Sequence, residues 1–277
     1  MSRESPIGAS AMGEKSRRER AAEARGVAQA TEKRRERMVR FIGGAAVVVI
    51  MAAIIGVAVY ASSNSPSNDA SGSLDGVVQP DPDAALPAGV LTADSATPFG
   101  VPYGNGGADA PVLELWEDFQ CPACGALEEA NGEGIEQLAE KGLVQLIYRP
   151  TAFLDANLGN DSSHRAVAAW GCAIDAGKTL EFHNAVYANQ PAEEGVGFTD
   201  EQFVSFASES DLGEADLATF SQCVTDGTYL AWAANSNQEF STSQIGGTPS
   251  GFLNGEAVGT EVLADPVALA DLVASKS

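Results

Sequence analysis

Two cysteines separated by proline and alanine, Cys121-Pro122-Ala123-Cys124, are the residues of this chain best suited to chemistry. Thiols at this spacing can exchange between dithiol and disulfide. Their surroundings suit that use, because Val112 to Phe119 (VLELWEDF) reads as a strand and apolar residues then recur at helical spacing through Leu127, Ile135 and Leu138. Cys121 falls where the helix N-cap should be, with Pro122 at the first helical position, where a missing N–H costs nothing. The unpaired N–H groups and positive dipole end of that helix favour a thiolate, so Cys121 is the expected nucleophile and Cys124, one turn in, its resolving partner. A purely structural disulfide across two residues is sterically awkward. A zinc site would need a second paired motif, whereas Cys172 and Cys223 stand alone with only His164 and His183 to help, so no metal and no cofactor is expected. Capture of Cu(I) by the two thiols is the alternative from a different functional class.

The elements that must position this pair follow a compositional break. Residues 1–40 hold 11 Lys or Arg against 6 Glu, a net of +5; the rest holds 5 basic residues (16 minus 11) and 32 acidic ones (38 minus 6), a net of −27. Such an acidic remainder does not suit nucleic acid, which is bound through clustered Lys or Arg. Between the two, Phe41 to Ala61 is uncharged over 21 positions, long enough as a helix to span a bilayer and longer than the apolar core of a cleaved secretory signal. It is read as a single transmembrane anchor. The preceding Lys33, Arg34, Arg35, Arg37 and Arg40 keep the N-terminus cytoplasmic, which places the remainder, with all 4 cysteines, outside, where disulfides persist. Residues 62–97, rich in Ser, Pro, Asp, Gly and Ala, read as a flexible tether reaching about 30–36 Å as a coil.

The globular part is expected from Pro98 to Ser277 as an α/β domain. A second strand at Leu143 to Tyr148 completes a βαβ unit, with Gly132 and Gly134 weakening or kinking its helix. Residues 162–243 are helical throughout, with helices over 163–176, 179–189, 200–208, 214–226 and 229–241. Two short strands follow, joined at Asn254-Gly255, and a closing helix starts at Asp265-Pro266. Thr248-Pro249, after Gly246-Gly247, suits either a cis proline in a tight turn or a trans proline opening a strand.

WEDFQCPACG, the block SSHRAVAAWGCAIDAGKTLEFHNAVYANQP and the late IGGTPSGFLNG together resemble the DsbA-like thioredoxin domain in its membrane-anchored actinobacterial form, over roughly the last 180 residues. The resemblance implies a thioredoxin fold with an all-helical insertion, and thiol-disulfide exchange on exported proteins. It also implies a cis Pro249 packed beside the CxxC, with Thr248 offering backbone groups to an extended substrate. Introduction of disulfides into reduced exported proteins is the leading reading, with isomerase or reductase as alternatives and a quinone-linked membrane partner as the implied reoxidant. A monomer is expected. Two departures bear on oxidising strength: Pro-Ala between the cysteines supplies no imidazole, and Leu115 stands where many such enzymes carry a buried acid. Glu117 shares that strand parity and could accept a proton from Cys124, but at a strand end it reads as solvent-facing.

Cys172 and Cys223 lie mid-helix in apolar company, Val167, Trp170 and Ile174 for one and Leu217, Phe220 and Val224 for the other. They predict a structural disulfide between two helices; two buried free thiols are the alternative. His164 and His183 read as surface or packing residues, and Trp116, Trp170 and Trp232 as core, with Trp116 a candidate reporter of redox state.

Overall fold

The computed structural model describes residues 78–210 and 212–276. The expected basic tail, the anchor at 41–61 and the first part of the tether lie outside the described residues, among which no helix is long and apolar enough to cross a membrane.

A five-stranded sheet runs in the order β1-β3-β2-β4-β5. Its centre is β2 (Val112–Glu117), parallel to β3 (Gln145–Pro150) and antiparallel to β4 (Ser250–Leu253). Leu113, Leu115, Leu146, Tyr148 and Leu253 are buried here. The central strands are buried on both faces, as strands covered by helices on each side require. β1 (Val101–Tyr103) adds an antiparallel edge that three residues of pattern were too short to reveal. At the other edge, Asn254 (φ 52°) and Gly255 (φ 78°) join β4 to β5 (Glu256–Val258) in the two-residue turn whose left-handed backbone suits Asn-Gly. Asn254 also pins the hairpin to β2, its N–H donating to the Val112 carbonyl at 2.8 Å and its Oδ1 accepting from the Val112 N–H at 2.9 Å.

The crossover from β2 to β3 is α1 (Pro122–Leu127), a π-helical turn (Glu128–Gly132) and α2 (Glu133–Glu140). The wide turn falls beside the two glycines expected to disturb the helix. α2 closes on Gly142 (φ 72°), with the Gly142 N–H bonded to the Ala139 carbonyl and that of Leu143 to Leu138. This double cap uses up Leu143, so β3 begins two residues later than the apolar run suggested.

Between β3 and β4 lie six helices: α3 (Phe153–Leu158), α4 (Ser162–Asp175), α5 (Thr179–Ala188), α6 (Asp200–Glu209), α7 (Glu214–Thr225) and α8 (Leu230–Thr242). The helical block therefore starts at Phe153, earlier than residue 162, because α3 is too short for its periodicity to show. Trp170, Phe182, Phe203, Phe220 and Trp232 form its buried centre, and α4 and α7 are joined by the disulfide Cys172–Cys223. α9 (Thr260–Leu263) and α10 (Pro266–Ala274) close the chain, the latter capped by the Asp265 carboxylate on the N–H groups of Val267 and Ala268.

The tether boundary at residue 97 needs correction. From Val78 onward the chain is placed against the helices. Asp81 and Asn235 exchange backbone-to-amide hydrogen bonds at 2.8 and 2.7 Å, the Ala88 N–H donates to Asp175 at 2.7 Å, and Val90 is buried. The composition resembles a linker, but Val90 belongs to the core and Leu86 packs against it, and the Ala88 hydrogen bond to Asp175 fixes the backbone between them.

Candidate active site

Cys121 occupies the N-cap of α1 with extended backbone (φ −74°, ψ 116°), and Pro122 follows as the first helical residue. Its sulfur therefore faces the open helix end. Cys121 is 7% exposed and Cys124, one turn in, is 0% exposed; both are free thiols. The Cys121 thiol is held at about 6, well below its ordinary 9.0. The largest cause is the Cys124 S–H donating to the Cys121 sulfur; burial opposes it, and Thr248 and the N–H groups of Cys124 and Ala123 add to it. Cys124 is pushed well above 9.0, first by burial and then by Cys121 and Glu117. One sulfur is thus a thiolate at neutral pH and its neighbour a thiol.

Thr248-Pro249 is a cis peptide beside Cys121, whose S–H donates to the Thr248 carbonyl at 3.4 Å. The Thr248 hydroxyl is buried with no hydrogen-bond partner, and we assign the thiolate-favouring effect of Thr248 to it.

Three sets of groups around the cysteines are not evident from the sequence. The Gln190 amide, just beyond α5, donates to the carbonyls of Phe119 and Cys121 at 2.9 and 3.0 Å and ties the reactive turn to the helical block. Gly125 makes this approach possible, since a Cβ there would lie 2.4 Å from the Gln190 side chain. Below the turn, Asp118 accepts from the Gln120 N–H, the Leu154 N–H and the Ser163 hydroxyl. Burial outweighs these donors and raises Asp118 to about 7. Asp155 accepts from the Gln120 amide at 2.7 Å, the N–H groups of Ser163 and His164 at 2.9 Å, and His164 Nδ1 at 2.8 Å. Asp155 thus caps α4, while the side chain of Asp161, the residue directly before the helix, makes no cap bond.

The third set corrects the reading of Glu117 as solvent-facing. Glu117 is 5% exposed, with its Oε2 3.2 Å from His183 Nε2 and Glu128 from the π-helical turn beside it. Burial raises Glu117 to about 8 and Glu128 to about 9; each carboxyl is also influenced by the other. Glu128 follows Cys124 by four residues and so shares its inward helix face. His164 and His183 are both buried packing residues, and all three tryptophans lie in the core, Trp116 under the Arg149 guanidinium at 4.1 Å.

A βαβ sheet with a helical insertion, a CxxC at a helix N-terminus and a cis proline against its first sulfur define a thioredoxin-fold thiol-disulfide oxidoreductase. Residues 100–269 match the thioredoxin family model, and the chain belongs to that family. Among solved structures it is similar to the MdbA thiol-disulfide oxidoreductase of Actinomyces oris, at 23% identity over 72% of this chain and 100% of that one, with a TM-score of 0.56. It is similar to the reduced disulfide bond oxidoreductase DsbG of Mycobacterium tuberculosis at 26% identity over 73% and 90% of the two chains, TM-score 0.52. Oxidised BdbD of Bacillus subtilis shares the fold at 17% identity, over 63% and 91%, TM-score 0.54. A search among curated proteins finds no match.

Proposed function

We propose that this chain is an extracytoplasmic disulfide oxidase that introduces disulfides into reduced exported proteins through Cys121 and Cys124, held at the membrane by residues 41–61. The observation that carries this reading is the division of labour between the two sulfurs: Cys121 thiolate at neutral pH, Cys124 a buried thiol. In the oxidised enzyme a substrate thiolate attacks the Cys121 sulfur. The Cys121–Cys124 bond breaks, a mixed disulfide forms at Cys121, and the Cys124 sulfur leaves and takes up a proton. A second substrate thiolate then attacks the substrate sulfur of the mixed disulfide and displaces Cys121, which leaves readily because its thiolate is stabilised. Two substrate thiols are oxidised to one disulfide, and the enzyme disulfide is reduced to the dithiol. Thr248 lies where its backbone can align an extended substrate beside Cys121, with Pro249 shaping the turn. A quinone-linked membrane partner would remove the two electrons.

The test is the reduction potential of the Cys121/Cys124 couple, with oxidative refolding of a reduced secreted protein alongside. A potential near about −120 to −180 mV with refolding activity is expected, whereas one near about −270 mV would assign the chain to the reductases.

A further inference from the structure

Behind the cysteines lies a cluster to which the exchange steps above assign no bond-making role. Glu117, Glu128 and His183 each present one ligand atom, all within 4.8 Å of one another. Among the described residues, neither Glu117 nor Glu128 is paired with Lys or Arg, and Glu117 Oε2 lies 3.2 Å from His183 Nε2. A buried carboxyl and a half-buried one thus sit together without a Lys or Arg partner. Around them, Glu117 Oε1, Glu128 Oε1, Tyr148 OH and Tyr187 OH lack hydrogen-bond partners, and Glu117, Tyr148 and Tyr187 are 5%, 2% and 8% exposed. A void of about 10 Å³ lies beside Glu117 and His183, walled mostly by Leu115, Phe119, Trp170 and the rings of Tyr148 and Tyr187. Buried polar atoms are ordinarily paired, so several unpaired ones beside the ligand atoms of Glu117, Glu128 and His183 point to a ligand.

The imidazole is already oriented for one. The Asn184 Nδ2 donates to Glu136 at 2.8 Å, which turns Asn184 Oδ1 toward His183 Nδ1 at 3.0 Å. The proton is therefore on Nδ1, and the Nε2 lone pair points at the carboxylates. An imidazole whose far nitrogen is held by a fixed acceptor is the arrangement metal-binding histidines use.

We propose that Glu117, Glu128 and His183 bind one divalent transition-metal ion of the zinc type. The 3.2 Å between His183 Nε2 and Glu117 Oε2 matches the edge of a tetrahedron with bonds of about 2.0–2.1 Å. One nitrogen and two carboxylate oxygens suit such an ion, and they are too few for calcium, which takes about six to eight oxygens. The fourth position falls to water or to a tyrosine hydroxyl. Glu128 and Tyr187 also line an open groove of about 830 Å³, which gives an ion a route from solvent that avoids Cys121. The site does not depend on the direction of electron flow at the cysteines.

The experiment uses the full-length chain in detergent, stripped with chelator and with Cys121 and Cys124 oxidised, so that neither supplies a thiolate. Equilibrium dialysis against Zn²⁺ should give one ion per chain. His183→Gln and Glu128→Gln should each weaken uptake by about 100-fold or more, and Asn184→Ala by about 10-fold, since it only orients the imidazole. Thermal melting of the metal-free variants checks folding; Glu128 is partly exposed, so Glu128→Gln serves if His183→Gln fails to fold. Absence of stoichiometric uptake by the oxidised protein would overturn the proposal, leaving the cluster to protons or water alone. So would uptake undiminished in a folded Glu128→Gln. Redox cycling measured on the same samples keeps a failure here separate from a failure of the oxidase reading.

Discussion

Replacing Cys124 by alanine removes the S–H that is the largest cause of the depressed Cys121 value. With the thiol at about 6, Cys121 in the reduced protein is about nine-tenths thiolate at pH 7. A hydrogen bond to a charged acceptor contributes about 1.5–3 kcal/mol, and 1.36 kcal/mol corresponds to one pH unit, so the inflection should move to about 7–8. The thiolate at pH 7 then falls to between about a half and a tenth. Absorbance of the thiolate near 240 nm and the pH dependence of alkylation both read this directly. Cys124→Ser keeps an O–H donor in place and should titrate within about half a pH unit of the native protein. Should Cys124→Ala also titrate near 6, the helix end and Thr248 would have to carry the whole effect, and Cys124 would not be the group that holds Cys121 as a thiolate. The consequence for redox poise is modest. At pH 7, lowering the thiol from 9.0 to about 6 stabilises the reduced form by about 1.4 kcal/mol, or about 30 mV. That figure is consistent with an oxidase weaker than one carrying an imidazole between its cysteines.

The same thiol gives a pH-dependent stability with a definite sign. Its folded-state value lies below its unfolded one, so the contribution to the reduced protein is full above pH 9 and lost as pH falls through 6; the stability of reduced minus oxidised protein should rise by about 2.5 kcal/mol from pH 5 to pH 8 in urea titrations. Cys172→Ala combined with Cys223→Ala opens a loop spanning 51 residues and should lower stability by about 4 kcal/mol, seen as an earlier urea midpoint. Asp155→Ala strands donors from Gln120, Ser163 and His164 and should cost about 3 kcal/mol, whereas Asp161→Ala, at the position that looks like the cap, should change stability by less than about 0.5 kcal/mol. Gln190→Ala leaves the Phe119 and Cys121 carbonyls without their donor and should cost about 1 kcal/mol in the same titration.

The sequence by itself determined the elements whose signals are local. Cys121 and Pro122 at a helix start, the Asn254-Gly255 turn, the Asp265-Pro266 cap and the long periodic helices each depend on residues within a turn or two of one another, and each lies within a residue or two of its expected place. The pairing of Cys172 with Cys223 was accessible because both thiols sit on apolar faces of clear helices. Only the tertiary structure decided which polar residues are buried together. Glu117 looked exposed because strand parity tells which face a residue takes, not whether α5 and the π-turn cover that face. Asp155 caps α4 from outside the helix, Gln190 reached the reactive turn from 69 residues away, and the stretch from Val78 joined the domain although its composition reads as a tether. In each case the deciding partner is distant in sequence. Burial and hydrogen bonding between distant residues are set by how layers pack, and no local pattern of residue types carries that information.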